Sequence, residues 1–353
     1  NPYYSDVPNI PQRGRFEPFD FQGIAFSTGG YSAQYGQALS SIVDLQTWSR
    51  FGDFNAHSLG VLPLVLSYGR PYANDSTACS IQFDYSYNKY FQDFNNNGPI
   101  SDFIKSRTNF SSPIQGKAIK TMYSKKFEKG IYKYKGRYTD YSLGTSKSDV
   151  STNFNLNNEN LFLISTYKGK LNKKLILDLG ISFSENNSQT NIYGDFEGIP
   201  YSFDSNFSDD LLQFRTVLTK KLVSKSKLKF GFHFFNQNST FLNYVFKDSL
   251  IAIGNENHLI NIPDYNYTED AIFDEFLSTM FSEIDYKISK KFAVNIGLRF
   301  EDSKLLSKSN LSPRFSMAYK VAKKSQVSYS FGEFYQTPEL GFDTWYRKNN
   351  INF

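Results

Sequence analysis

The chain has 353 residues, of which 18% are aromatic, chiefly 35 Phe and 25 Tyr, and its formal net charge is +5. So many large apolar side chains exclude a disordered chain, and the lack of a basic face interleaved with aromatic residues argues against nucleic-acid binding. Mean hydropathy is nevertheless −0.47, and no apolar run is long enough for a transmembrane helix. Apolar and polar residues that alternate along β-strands reconcile these properties.

The N-terminal part is a compact, glycine-punctuated unit. The chain opens at Asn1 in a polar, proline-rich stretch without a signal peptide, so we expect a mature or shortened sequence. Glycines then interrupt short runs and predict tight turns or close backbone approach; they are Gly23, Gly29, Gly30 and Gly36. A short strand around Ile42 follows. Arg13 and Arg15 are either contacts to a surrounding wall or ordinary solvated charges.

From residue 54 onward the sequence predicts amphipathic strands. In 292–301, apolar residues (Phe292, Val294, Ile296, Leu298, Phe300) alternate strictly with small or polar ones, including Asn295, Arg299 and Glu301. This period of two marks a strand with one apolar face, whereas helical spacing would mix the two sets. Similar patterns predict about twelve strands: 54–68, 78–90, 115–127, 131–143, 159–171, 174–186, 209–222, 227–243, 274–288, 291–302, 311–321 and 325–335.

Short and long connections alternate between these strands. Short polar connections are predicted near 170–174 and 287–291, and long stretches near 186–208 and 247–272. This rhythm favours an all-β, antiparallel transmembrane barrel with short periplasmic turns and long extracellular loops. A soluble β-sandwich or adhesin is the alternative. If residue 54 starts at the periplasm, counting these strands places the short turn at 170–174 outside the cell, where long loops are expected. This conflict in strand parity indicates a missed or wrongly divided strand before residue 115, within 49–77 or 91–114.

Two stretches carry a family resemblance. The first is residues 26–47, FSTGGYSAQYGQALSSIVDLQT, which resemble the end of the plug domain in TonB-dependent outer-membrane receptors. The particular sequence of this motif is similar to that of members from Bacteroidota. LSPRFSMAYKVAKKSQVSYSFGEFYQTPE at 311–339 resembles a mid-barrel hairpin of the same family. The resemblance implies a barrel of the 22-stranded type, present here in part, preceded by the end of a plug. The expected domains are 1–48, the C-terminal part of the plug, and 49–353, the N-terminal part of a truncated barrel.

The resemblance also implies a function. We expect TonB-dependent active import of a bulky, scarce nutrient (a siderophore, glycan or peptide) across the outer membrane of a bacterium. The implied partners are the inner-membrane TonB complex (through a segment absent here), outer-membrane lipid, a small-molecule or oligomeric nutrient and a surface lipoprotein. The plug motif would comprise Gly29, Gly30, Tyr31, Tyr35 and Gly36. Asn295, Arg299 and Glu301 would face the lumen beside the plug.

The sequence offers no catalytic constellation. His57, His233 and His258 form no pair at metal-binding spacing, and His233 is expected to face the lumen. Cys79 is the single cysteine, which excludes an intrachain disulfide. We therefore expect no enzyme, no cofactor and no metal. The alternatives are a non-transporting surface receptor or adhesin on the same barrel, and a barrel hydrolase, which would need a Ser/His/Asp set.

Two long polar stretches are candidate ligand-binding loops. Exposed aromatic residues beside hydrogen-bonding groups suit ligand capture, and the candidates are Tyr193, Phe196, Tyr201, Tyr265 and Tyr267. The same stretches are acidic, with five carboxylates in each of 195–210 and 264–275. Such carboxylates either bind calcium or form solvated surface, and their spacing matches no EF-hand.

Overall fold

The computed structural model describes residues 21–27, 30–39, 41–47, 51–62, 65–87, 109–147, 152–196, 199–222, 226–247, 250–253, 259–262, 265–323 and 325–337. Within these ranges the regular elements are all β-strands. No helix among the described residues is long and apolar enough to cross a membrane.

The strands follow one another along the chain and every pair is antiparallel. Their bounds are β1 Phe21–Ser27, β2 Ile42–Thr47, β3 Phe54–Asn55, β4 Ser58–Leu62, β5 Val65–Ala73, β6 Thr77–Tyr87, β7 Asn109–Lys126, β8 Gly130–Lys147, β9 Thr152–Lys170, β10 Leu175–Phe196, β11 Ile199–Lys221, β12 Lys227–Lys247, β13 Leu250–Ile253, β14 Leu259–Ile262, β15 Tyr265–Lys287, β16 Phe292–Ser303, β17 Lys308–Ala322 and β18 Ser325–Gly332. β1 and β2 form one ribbon and β13 and β14 another. The other 14 form a single sheet in chain order, with β12 beside β15.

The sheet has one apolar outer face and one polar inner face. On β16, the outward Ile296, Leu298 and Phe300 are 53%, 47% and 41% exposed. They alternate with Gly297, Arg299 and Glu301, which are buried on the inner face. The predicted all-β fold with amphipathic strands is thus confirmed. Large apolar side chains that remain exposed along one whole face are what a lipid-facing barrel wall requires.

The parity problem lies in the first predicted strand. Residues 54–68 are two strands, because β3 and β4 both pair with β5, from Phe54↔Ala73 to Leu62↔Val65. A two-residue connection between apolar strands leaves no polar segment to mark the turn, so the pattern looked continuous. With β5 as an additional strand, the connections at 74–76, 127–129 and 171–174 all fall at one end of the sheet. In transmembrane barrels, short turns of this kind are characteristic of the periplasmic end.

The long stretches predicted as loops are mostly strand. β10 and β11 contain 22 and 23 residues and remain paired up to Phe196↔Ile199, through the predicted loop 186–208. At about 3.3 Å per residue and a tilt of about 45°, such strands rise roughly 50 Å, well beyond the ~30 Å hydrocarbon core. The prediction was wrong because it took polar composition as a sign of a loop. Above the membrane a strand needs backbone partners, but no apolar outer side chains.

The upper rim of the sheet is uneven. β16 ends at Ser303, opposite Leu277 of β15. β15 itself begins at Tyr265 and pairs with β12 along its whole upper part, up to Lys247↔Tyr265. The β16–β17 hairpin therefore turns back far below the end of β15.

Candidate functional site

The site is built around residues 30–37, hereafter the docked segment, which lie against the inner face of the sheet. A turn in which the Tyr35 amide donates to the Ser32 carbonyl (3.1 Å) compacts it. Gly30 and Gln37 flank this turn with φ of 59° and 55°, in the left-handed region that reverses the chain. Tyr31 and Ala33 are buried. The docked segment is therefore a compact turn, and the side chains of Tyr31 and Ala33 are covered by the surrounding structure.

Arg314 of β17 clamps the backbone of the docked segment. Its Nη1 donates to the carbonyl oxygens of Ser32 (2.8 Å) and Tyr35 (2.7 Å). The guanidinium carbon lies 4.9 Å from the ring centre of Tyr31 and 4.7 Å from that of Phe334, and these two ring centres are 4.6 Å apart, so the cation lies against an aromatic pair. Charge-assisted bonds and desolvated cation–π contacts are among the stronger polar interactions in proteins.

Arg299 of β16 makes a second contact and is itself held by the wall. Its Nε and Nη2 donate to the Glu301 carboxylate at 2.9 and 2.7 Å, and Nη2 also lies 3.2 Å from the Thr279 hydroxyl. The remaining Nη1 donates to the Ala33 carbonyl (3.2 Å). Since Glu301 and Thr279 fix the plane of the guanidinium, the donor aimed at Ala33 is preorganised.

Glu283 of β15 binds the opposite polar group of the same residue. Its carboxylate accepts the Ala33 amide at 2.7 Å and the Lys229 ammonium at 2.8 Å. Lys229 also lies 3.3 Å from Asp285, so the buried carboxylate belongs to a three-membered ionic chain. Ala33 thereby has both of its backbone groups satisfied by wall side chains.

Two close approaches leave no space for larger residues. A Cβ added to Gly297 would lie 2.7 Å from the Ala33 Cβ, and one added to Gly36 would lie 2.3 Å from Arg299 Nη2. The glycines are thus required sterically, because the backbone and the wall approach to within contact distance. Ala33 packs with Val217 and Phe281 in a small apolar cluster.

Further contacts extend along the N-terminal unit. Arg215 Nη2 lies 3.4 Å from Gln34 Oε1, and its guanidinium lies 5.6 Å from the ring centre of Tyr35. Gln37 Oε1 accepts from both the amide and the hydroxyl of Thr337. Farther along the sheet, Lys133 of β8 donates to the Thr47 carbonyl (2.9 Å). Between Tyr31 and Thr47 the N-terminal unit therefore contacts strands from β8 to β17, which requires a sheet that curves around it.

Burial changes the acidity of the two tyrosines of the docked segment. Desolvation raises the pKa of Tyr31, although the nearby Arg314 opposes it. Desolvation, together with the negative charge of Asp44, likewise raises the pKa of Tyr35. Both phenols thus stay protonated near neutral pH, and that of Tyr31 donates to the Ala38 carbonyl.

Several residues singled out in the sequence meet here. Gly30, Tyr31, Tyr35 and Gly36 belong to the docked segment, and Arg299 and Glu301 lie on the inner face as predicted. Asn295 is also inward and donates to Asp285. Gly29, Arg13 and Arg15 lie outside the described residues. Arg314, Glu283 and Arg215 were not predicted from the sequence. Each is a charged residue on the polar side of an amphipathic strand, the same signal that marked Arg299 and Glu301.

The candidate ligand residues lie on strands rather than loops, so that part of the prediction was wrong. Tyr193 is 48% exposed and points outward, while Tyr201 has the inward position of β11. Phe196, Tyr265 and Tyr267 are also strand residues. Their contact with a ligand stays a prediction.

The acidic residues of these stretches do not converge. Asp209 and Asp210 are neighbours in sequence but point to opposite faces of the sheet. Asp209 is buried on the inner face and accepts hydrogen bonds from Gln237 and Ser239, whereas Asp210 is exposed on the outer face. Asp274 and Glu275 divide in the same way. Strand alternation separates neighbours in sequence, and no cluster of three metal-ligating side chains occurs within the described ranges.

The histidines have local partners or lie outside the described ranges. His233 has the inward position opposite Thr279, as predicted. His57 Nδ1 lies 2.8 Å from the Tyr68 hydroxyl at an exposed position. His258 is outside the described residues.

A wide antiparallel sheet, lipid-facing on one side and occupied by an N-terminal segment on the other, defines an outer-membrane β-barrel with material inside its lumen. Residues 80–352 match the family described as TonB dependent receptor-like, beta-barrel. The chain belongs to this family, whose barrels lie in the bacterial outer membrane. A comparison with curated proteins found no match.

Solved structures of outer-membrane transporters share the fold. The outer membrane transporter YddB of Escherichia coli superimposes with a TM-score of 0.58 at 10% identity, over 90% of this chain and 48% of YddB. A mutant of the ferric enterobactin receptor PfeA of Pseudomonas aeruginosa gives 0.55 at 12% identity, over 90% and 49%. The RagAB peptide importer in its 'closed-closed' state gives 0.51 at 10% identity, over 77% and 36%. This chain thus spans about half the length of the first two proteins.

Proposed function

We propose that the protein to which this chain belongs imports a bulky nutrient across the outer membrane by TonB-dependent transport. In this proposal residues 1–48 are the end of a plug that fills the lumen, and residues 49–353 are part of the surrounding barrel. The observation that supports it best is the docked segment, whose backbone is bound by Arg299, Arg314 and Glu283 on the inner wall. A segment held inside a barrel by buried ionic side chains obstructs passive flow.

The chemistry of this contact indicates which part of the plug moves. Removing the docked segment would leave two arginines and a glutamate with unpaired donor and acceptor atoms on a largely buried wall, which is costly. Work transmitted from the TonB complex would therefore open the upstream part of the plug first, while the docked segment stays on the wall. No covalent bond is made or broken in this cycle, so the protein acts as a transporter and not as an enzyme.

The proposed partners follow from the same scheme. TonB would bind a plug segment outside this chain, and lipid would surround the outer face. A siderophore, glycan or peptide would bind from outside, and a surface lipoprotein could assist its capture. Transporters of the same fold include a ferric enterobactin receptor and a peptide importer, which supports nutrient import without fixing the ligand.

Uptake in the intact organism tests the proposal. A strain that lacks the full-length gene is supplied with each nutrient class as the limiting source, and the gene is restored in the presence and absence of TonB. We expect growth on one class to require both the gene and TonB. Growth that requires the gene but not TonB, or cell binding without uptake, would instead support the surface receptor or adhesin.

A further inference from the structure

On strands β9 to β12, the inner face above the docked segment is almost uncharged. We consider the inward side chains of β9 to β12 within 154–160, 182–194, 201–213 and 235–243. Pairing between these strands continues without a register shift, so the inward positions form one surface. Amides, hydroxyls and aromatic rings predominate there. Among these described positions, the only charged residue is Asp209.

That single charge is not available to a ligand. Asp209 is 1% exposed, and its carboxylate accepts hydrogen bonds from Gln237 and Ser239 of the neighbouring strand. On the next strand, Glu275 is equally buried and accepts from Ser303. A ligand in the upper lumen therefore meets a surface that is polar but offers it no free ionic partner among these residues.

Aromatic rings interrupt this polar surface. Phe207 and Phe241 lie side by side with ring centres 4.5 Å apart and form the aromatic shelf. Phe273 is buried and supports Phe241 edge-on, with 5.9 Å between the ring centres. Phe207 and Phe241 are only partly buried. One row above them, Ser205 donates to Asn243 Oδ1 (2.6 Å) on the same face. Apolar ring faces thus lie directly beside hydroxyl and amide groups.

We propose that the imported ligand is a neutral oligosaccharide that stacks on the aromatic shelf, an inference that rests on the proposed import function. A sugar ring presents an apolar face of C–H groups and a rim of hydroxyls that both donate and accept. Aromatic rings and amide or hydroxyl side chains complement these two features without any charge. An anionic ferric siderophore would be desolvated against this surface without a cation on these four strands to offset the cost.

Binding to the purified full-length protein tests the ligand class. The probes are a panel of neutral oligosaccharides with α and β linkages, ferric enterobactin and a mixture of short peptides, each measured by calorimetry. We expect one or more oligosaccharides to bind, with affinity about tenfold lower in Phe241→Ala, which corresponds to the loss of an aromatic contact of about 1.4 kcal/mol. Asn243→Ala should also weaken binding. Leu242→Ala is the matched control, because Leu242 lies between them on the outer face and is exposed.

The outcomes separate the two proposals. Binding of only the siderophore or the peptides, or sugar binding that neither Phe241→Ala nor Asn243→Ala changes, overturns the oligosaccharide assignment, as does the absence of any sugar binding. Import itself is judged by the TonB requirement for growth, whichever nutrient supports it. Heat-dependent gel mobility checks that each variant has a folded barrel, and the milder Asn243→Ala carries the test if Phe241→Ala does not fold.

Discussion

Replacing Arg314 with methionine should release the docked segment from the wall. Methionine retains part of the apolar contact with Tyr31 but loses both hydrogen bonds to the Ser32 and Tyr35 carbonyls. Hydrogen bonds that involve a charged group contribute about 1.5–3 kcal/mol each, so the contact loses at least about 3 kcal/mol. Because 1.4 kcal/mol corresponds to a factor of ten, the detached state should become about 100-fold more populated.

Hydrogen exchange measures this population directly. The Ala33 amide bonds to Glu283 and the Tyr35 amide to Ser32, so both are protected only while the segment is docked and folded. In the full-length protein, a peptide that covers 30–39 should exchange about 100-fold faster in Arg314→Met. Arg314→Lys should fall in between, since an ammonium keeps the charge but not the planar fork that reaches two carbonyls.

Arg70→Met is the matched control. It makes the same Arg-to-Met change, but Arg70 is exposed on the outer face of β5, far from the docked segment. Unchanged exchange of 30–39 in Arg314→Met, in a barrel that still shows heat-dependent gel mobility, would refute the assigned role of the arginine. The segment would then be held chiefly by Arg299 and Glu283.

Three further expectations concern steric fit and orientation. Gly36→Ala should make the docked segment more sensitive to proteinase K, because the new Cβ would lie 2.3 Å from the Arg299 guanidinium, which is already fixed. Gly23→Ala should leave the sensitivity unchanged, since the nearest atom to its new Cβ would be 3.8 Å away. Gly297→Ala should weaken docking in the same assay by overlap with Ala33, and Ala33→Gly in the same protein should restore it. Tyr193→Cys should react with a membrane-impermeant maleimide on whole cells.

Each of these has a contrary outcome. Equal protease sensitivity of the Gly36 and Gly23 variants would show that Arg299 moves aside at little cost. Failure of Ala33→Gly to rescue Gly297→Ala would place the effect elsewhere in the sheet. Labelling of Tyr193→Cys only after the outer membrane is permeabilised would reverse the assigned orientation of the strands.

Periodicity was sufficient to predict the wall within the membrane. Lipid on one side and a polar lumen on the other impose opposite requirements on successive residues, so β16 shows the alternation of apolar and small or polar residues from Phe292 to Glu301. Outside the membrane no lipid contacts the outer face, so outward-facing side chains no longer need to be apolar. Residues 186–196 therefore carry no alternation of hydropathy, although their backbone pairs as regularly as the rest.

The candidate site was only partly predictable. The glycines of the docked segment and the Arg299–Glu301 pair gave a local signal, since tight turns and inward charges are visible in sequence. The wall residues that bind the docked segment could not be predicted in this way, because Arg314, for example, lies 279 residues from Tyr35 along the chain. In addition, the wall binds carbonyl and amide groups, which every residue has. A contact to the backbone leaves no complementary side chain to recognise.

The uneven rim determines how a ligand can approach the lumen. β15 continues from Leu277 to Tyr265 after its partner β16 has ended at Ser303, which is roughly 40 Å along the strand at about 3.3 Å per residue. Across these strands the rim is therefore stepped, and β12 and β15 extend above the β16–β17 hairpin. A long, chain-like molecule that approaches over this hairpin would meet the inner faces of the taller strands before it enters the lumen.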